Sequence, residues 1–266
     1  MKWLIVAIIV ITIGIGGFYA FNNYIYQQKQ GETINPVPTQ TMEDSTTFNI
    51  TPISHATMVI TIAGQTIYTD PVGGKELFSK SEPPTLILIT DIHGDHMDPD
   101  TLKAISTFQT NIVVPQAVAD KLPKDIPGKI VVMKNGETNT QNGIALTAVP
   151  MYNLPEAADT MHTKGRGNGY VLEAASKRIY IAGDTDAIPE MKALQNIDVA
   201  FVPMNPPYTM SVEEAADGVV AFKPKVVHPY HYRTPNGLSD VNKFKELVVA
   251  KDPNVKVDLL DFYANK

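Results

Sequence analysis

The run Thr85-Leu-Ile-Leu-Ile-Thr90 is apolar at every interior position and shows no alternation. A strand on a half-solvated sheet alternates apolar and polar residues, whereas one that is apolar throughout must be covered on both faces. Val199 to Met204 (VAFVPM) has the same character. Two such runs require sheets roofed on both sides. The remaining elements supply the layers. FNITPI (48–53), TMVITI (57–62) and QTIYTD (65–70) read as short strands, the last two joined across Ala63-Gly64 as a hairpin. NIVVP, KIVVM, IALTAVP, KVVHPY and VKVDLLDF read as further strands, and GYVLEA and RIYIAGD as a hairpin turning at Ala175-Ser176-Lys177. Between them, DPDTLKAIS (98–106), SVEEAADGVVAF (211–222) and LSDVNKFKELVVAK (238–251) carry helix caps and apolar stripes. Helices that alternate with buried strands predict an α/β domain over residues 48–266, with two sheets packed together and helices outside.

The first 47 residues follow other rules. Trp3 to Phe21 holds no charged residue. As a helix it spans roughly 28 Å, close to the thickness of a bilayer's hydrocarbon core. It exceeds the apolar region of a cleaved signal peptide, and no small-x-small cleavage site follows it. Residues 1–21 are therefore expected to form an uncleaved signal anchor, a single transmembrane helix, with a cleaved signal peptide as the alternative. Residues 22–47 are polar, contain Pro36 and Pro38, and read as a tether. The 48–266 domain is expected on the extracytoplasmic face of the membrane.

Composition excludes several chemistries. There is no cysteine, so disulfides, thiolate metal sites and a thiol nucleophile are absent. Lys plus Arg number 22 against 28 acidic residues, with no basic run, which argues against nucleic acid. A metal must be held by imidazole and carboxylate, and the six histidines can be read one at a time.

Directly after the Thr85–Thr90 strand comes Asp91-Ile-His93-Gly-Asp95-His96. Four candidate ligands within six residues, around a glycine that lets the loop turn, suit zinc, with manganese or iron as alternatives. Asp184 in Gly-Asp-Thr, and His228 and His231 in HPYHY, also follow buried strands. Strand ends of this kind are where layered α/β proteins place ligands. Thr163-Lys-Gly-Arg-Gly-Asn-Gly169 places two cations among three glycines. It reads as an anion-binding loop or as a plain turn before a strand.

Together these segments resemble the metallo-β-lactamase superfamily, whose pattern is HxHxDH after a strand, then a later His, a Gly-Asp-Thr aspartate and a final His. The likeness is strongest to the branch that holds ascorbate-phosphate lactonases and N-acyl phosphatidylethanolamine phospholipases, through His55-Ala-Thr, Asp70-Pro, PMNPPYTMSVEEAAD and PYHY. It implies a four-layer αβ/βα sandwich with one or two metals at one edge. Carried over by position, His93 belongs to the first metal site. Asp95, His96 and His231 belong to the second, and Asp184 bridges the two. His55 lines the site, Asp70 braces the ligand loop, and His228 is structural. Two positions depart from the pattern. Asp91 stands for the first His, and Met151-Tyr152-Asn153 stands where the middle His is expected. His162 is the nearest substitute, as a ligand, a substrate contact or a surface residue.

The resemblance implies a hydrolase, and the uncharged run Trp3 to Phe21 implies that it is tethered to a membrane. It would use metal-activated water on an ester, lactone or phosphodiester bond of a small-molecule or lipid substrate. Asp95, His55 and His162 are the catalytic candidates, and Tyr152, Lys164, Arg166 and Tyr208 the substrate-binding ones. Lys164 and Arg166 suggest an anionic substrate. The alternatives are a phospholipase-like enzyme, or a non-catalytic metal-binding sensor with a degenerate first site.

Overall fold

The computed structural model of the chain describes residues 48–264. The apolar run, the tether and the anchor expected there lie outside the described residues. Among the described residues, no helix is long and apolar enough to cross a membrane.

The first sheet runs in chain order. Strands β1 (Phe48–Ser54), β2 (Thr57–Ile62) and β3 (Gln65–Thr69) are antiparallel. β4 (Leu86–Leu88), β5 (Asn111–Val114) and β6 (Lys129–Val132) then add in parallel. The β2–β3 turn has positive φ at both Ala63 and Gly64, the conformation a two-residue hairpin needs. The second sheet comprises β7 (Thr138–Gln141), β8 (Ile144–Met151), β9 (Gly167–Ala174), β10 (Lys177–Ile181), β11 (Val199–Pro203), β12 (Val226–Tyr230) and β15 (Lys256–Val257). Its spatial order is β15-β12-β11-β10-β9-β8-β7, antiparallel from β7 to β10 and parallel from there. A small hairpin, β13 (Arg233–Thr234) and β14 (Gly237–Leu238), follows β12.

The period of two within each strand sorts side chains into layers. Ile60, Leu86, Leu88 and Val113 share one buried core with Leu146, Val171 and Ala200 of the second sheet. Their neighbours Val59, Ile87, Ile89, Ile112 and Val114 face the other way. They pack with Leu102 of α1 (Pro99–Ile105) and Val118 of α2 (Gln116–Ala119). The second sheet is flanked by α3 (Pro189–Lys192), α4 (Val212–Phe222) and α5 (Val241–Lys251), with α4 packed on α5 and on β11. The layers thus run helix, sheet, sheet, helix. Local chemistry sets the helix starts. Asp98 and Asp240 accept from the first-turn N–H groups of α1 and α5, and Ser211 with Glu214 forms a capping box on α4.

Two expectations need correction. The last strand pairs only over Lys256–Val257, because after Asp258 N–H donates to Val227 O the chain leaves the sheet. It goes on to bury Phe262 and to bring Tyr263 against His55. The four-residue helices α2 and α3 were not foreseen, being too short to show a 3.6-residue period.

Candidate metal centre

The site is assembled from the loops that follow β3, β4, β8, β10 and β12. Asp70, one residue past β3 and fully buried, organises it. Its carboxylate accepts from Thr90 N–H at 2.7 Å and Thr90 Oγ1 at 2.7 Å, and lies 2.8 Å from His96 Nδ1. A carboxylate can only accept, so His96 Nδ1–H donates and its Nε2 is turned inward. The ligand loop is closed by His96 N–H and Met97 N–H, which both donate to His93 O.

His96 Nε2 lies 3.2 Å from Asp184 Oδ2 and 3.2 Å from His231 Nε2. His231 Nε2 lies 3.4 Å from Asp184 Oδ1 and 3.3 Å from Asp95 Oδ2. Asp95 Oδ1 is 3.8 Å from His96 Nε2. His231 reaches this position through a left-handed backbone (φ 45°), with its N–H donating to His55 O at 3.2 Å. Residues from three separate strand ends therefore aim nitrogen and oxygen at one small volume.

A second group lies alongside. Asp91 Oδ2 is 2.8 Å from His93 Nδ1 and 3.9 Å from His162 Nε2, and His162 Nε2 is 3.3 Å from Asp184 Oδ2. Asp184 thus touches both groups. His162, buried in the β8–β9 connection, is drawn in by Asn153. Asn153 Oδ1 accepts from His162 N–H at 2.8 Å and lies 3.1 Å from its Nδ1, while Asn153 N–H donates to His162 O. The residue standing where the superfamily pattern has its middle His thus delivers another His to the site.

The electrostatics are those of a cation site. Burial alone would raise the Asp184 and Asp95 carboxyls, but the surrounding imidazoles hold both well below the ordinary range. Burial would lower His96, yet Asp184 and Asp70 outweigh it and hold it well above the usual imidazole value. Asp91 is held low against burial by His93, His96 and Arg166. Asp184 Oδ1 and His162 Nε2 are buried without a hydrogen-bond partner. Buried polar atoms are costly unless satisfied, so unpaired ligand atoms beside clustered carboxylates fit a divalent cation. Three groups have the necessary proximity: His96, Asp184 and His231; His55, Asp95 and His231; and Asp91, His93 and His162.

His55 Nε2 faces Asp95 Oδ2 at 3.4 Å, and its ring lies 4.0 Å from that of His231. Tyr263, whose phenol is pushed up by burial and stays protonated, donates to His55 Nδ1 at 2.5 Å. His228 stands apart, stacked on Phe201 with Nδ1 2.8 Å from Asp258 O.

A cavity of about 390 Å³ opens beside the two groups. His55, His93, Asp95, His162 and Tyr208 line it, and so do Met161, Asn205, Arg233 and Thr234, which the sequence reading missed. Tyr152, Lys164 and Arg166 do not line it. Tyr152 is buried and donates to Glu190 at 2.9 Å. Lys164 is engaged by Glu156 and Glu190, each at 3.1 Å, and lies over the Tyr152 ring. Arg166 grips Asp91 with both arms, Nε to Oδ1 at 3.1 Å and a terminal nitrogen to Oδ2 at 2.8 Å. Gly167 and Gly169 of the suspected anion loop belong to β9. A Cβ at Gly167 would come within 2.8 Å of Thr90 O, and one at Gly169 within 2.6 Å of Ala182 O. These glycines let β9 approach the metal-site loops closely.

The Beta-lactamase superfamily domain matches residues 49–231. The UPF0173 metal-dependent hydrolase of Thermococcus onnurineus is 32% identical over 205 residues, which is 74% of this chain and 90% of that one. A candidate metal-dependent hydrolase of Parabacteroides distasonis, of known structure, is 39% identical with a TM-score of 0.70, covering 80% of this chain and 92% of its own. Igni18, a metallo hydrolase from Ignicoccus hospitalis, shares the fold at 24% identity and a TM-score of 0.67, over 80% of this chain and 95% of its own. The order of layers, the strand-end placement of the ligands and these likenesses agree: the chain belongs to the metallo-β-lactamase superfamily, among its metal-dependent hydrolases.

Proposed function

We propose that this chain is a membrane-tethered hydrolase. It would take zinc, with manganese or iron as alternatives, and cleave an ester, lactone or phosphodiester bond. One observation carries the hydrolytic reading: Asp95, His96 and Asp184 each bring a ligand atom within 3.4 Å of His231 Nε2, and Asp95 and Asp184 line the adjoining cavity. These four residues would hold one ion, and Asp91, His93 and His162, with Asp184 between the groups, a second.

A bound cation supplies Lewis acidity and brings the pKa of a coordinated water close to neutrality. The chain's own residues do the rest. Asp95, ionised and about 41% exposed, would accept a hydrogen bond from a water in the cavity and so orient it. His55, held by Tyr263, keeps Asp95 in place. Tyr208 offers a hydroxyl on the cavity wall to a developing oxyanion. Asp70 fixes His96.

The tether and the extracytoplasmic location rest on the uncharged run Trp3 to Phe21. One observation favours a phospholipase-like variant of the reading. Met161 (48% exposed) and Tyr208 (37% exposed) give the cavity an apolar wall that suits an acyl chain.

The test is metal analysis of the purified chain together with a panel of ester, lactone and phosphodiester substrates. His96→Ala should remove both the bound metal and all turnover. Turnover that survives in His96→Ala overturns this mechanism.

A further inference from the structure

The cavity holds a charge that the hydrolytic chemistry does not use. Of the side chains that line it, Arg233 alone is permanently cationic. Lys164 and Arg166 are already neutralised by Glu156, Glu190 and Asp91. Arg233, by contrast, makes no ion pair and no side-chain hydrogen bond among the described residues. It stacks on Tyr263, whose ring centroid lies 4.9 Å from the guanidinium carbon. Such stacking occupies a face of the guanidinium plane and leaves its N–H edge for a ligand.

The position is also built. Arg233 pairs with Leu238 across the β13–β14 hairpin, which is pinned by Thr234 Oγ1 donating to Gly237 O at 3.0 Å. Tyr263 is held edge-on to Tyr232 at 4.7 Å and donates to His55 Nδ1 at 2.5 Å. The platform beneath the guanidinium is thus tied to a residue of the metal site. Arg233 follows the candidate ligand His231 by two residues, so the same segment supplies a ligand and a cation. An arginine fixed in a cavity without a counter-charge contributes nothing to folding by ion pairing. Its planar fork matches a carboxylate or a phosphate bidentately.

We propose that Arg233 recognises an anionic oxygen group, carboxylate or phosphate, carried by the substrate away from the bond that is cleaved. Met161 and Tyr208 receive the apolar spacer between the two. The proposal deepens the hydrolase reading and rests on it.

Calorimetry on the zinc-loaded full-length chain tests this with three probes: hexanoate, hexyl phosphate and the neutral hexanamide. At least one anion should bind about 10-fold to 100-fold more tightly than hexanamide, as expected for charge-assisted hydrogen bonds. Arg233→Met should erase that preference, and Arg233→Lys should keep part of it. Any attraction of the metal for the anion is common to wild type and variants, so the ratio between them isolates the guanidinium. Tighter hexanoate identifies a carboxylate, and tighter hexyl phosphate a phosphate. Equal anion affinity in wild type and Arg233→Met overturns the proposal, as does a wild type that does not distinguish anions from hexanamide. If Arg233→Met erases the preference but the zinc-loaded wild type cleaves nothing in the substrate panel, the hydrolase reading falls and the anion site stands.

Discussion

Asp70 does not line the cavity beside the site, yet it sets the chemistry of His96. Its carboxylate is fully buried and shared between Thr90 and His96 Nδ1, so the imidazole has one orientation and one tautomer. Asp70→Asn keeps the shape and removes the charge. It should weaken zinc binding by about 10-fold to 100-fold, measured by competition with a chromophoric chelator. Unchanged affinity would mean that Asp70 serves only to brace the loop. At this scale the sequence was partly legible. Asp95, His96, Asp184 and His231 each follow an apolar run, and the structure brings all four together. What the sequence hides is the charge partners. Nothing local in the Lys164–Arg166 segment announces that Arg166 is matched by Asp91, 75 positions away. Likewise, Arg233 looks like an ordinary residue of a polar turn until the fold stacks it on Tyr263 with no ion pair among the described residues. Asn153 and His162 meet through a loop whose path no period encodes.

Among the elements, β9 carries the strongest constraint. It runs between β8 and β10, and its first residues lie against the ligand loop: Asn168 N–H donates to Thr90 O at 3.0 Å. Gly169 is the point of closest approach, because a Cβ there would meet the carbonyls of Ala182 and Ile181 at 2.6 and 2.9 Å. Both obstacles are backbone, which cannot swing aside as a side chain can. Gly169→Ala should therefore cost at least about 1–3 kcal/mol of stability, read as a lower urea midpoint. A midpoint equal to wild type would show that the strand moves away without penalty. The buried strands were legible because continuous apolar runs have few other destinations. The glycines of β9 stayed ambiguous in the sequence because the same residue type serves an anion loop and a tight strand contact. Only the neighbouring strand distinguishes the two.

Across the described domain, the two sheets enclose an apolar core, and the acidic and imidazole groups are gathered at strand ends outside it. The cost appears as carboxylates held ionised against burial and as buried ligand atoms without partners. A cation that binds the folded state alone stabilises it by mass action. The central claim is therefore structural before it is catalytic, and anomalous diffraction at the zinc edge from crystals of the zinc-loaded protein tests it most directly. The account predicts an anomalous peak in contact with His96 Nε2, His231 Nε2 and the Asp95 and Asp184 carboxylates. The absence of zinc density between these four side chains would contradict it.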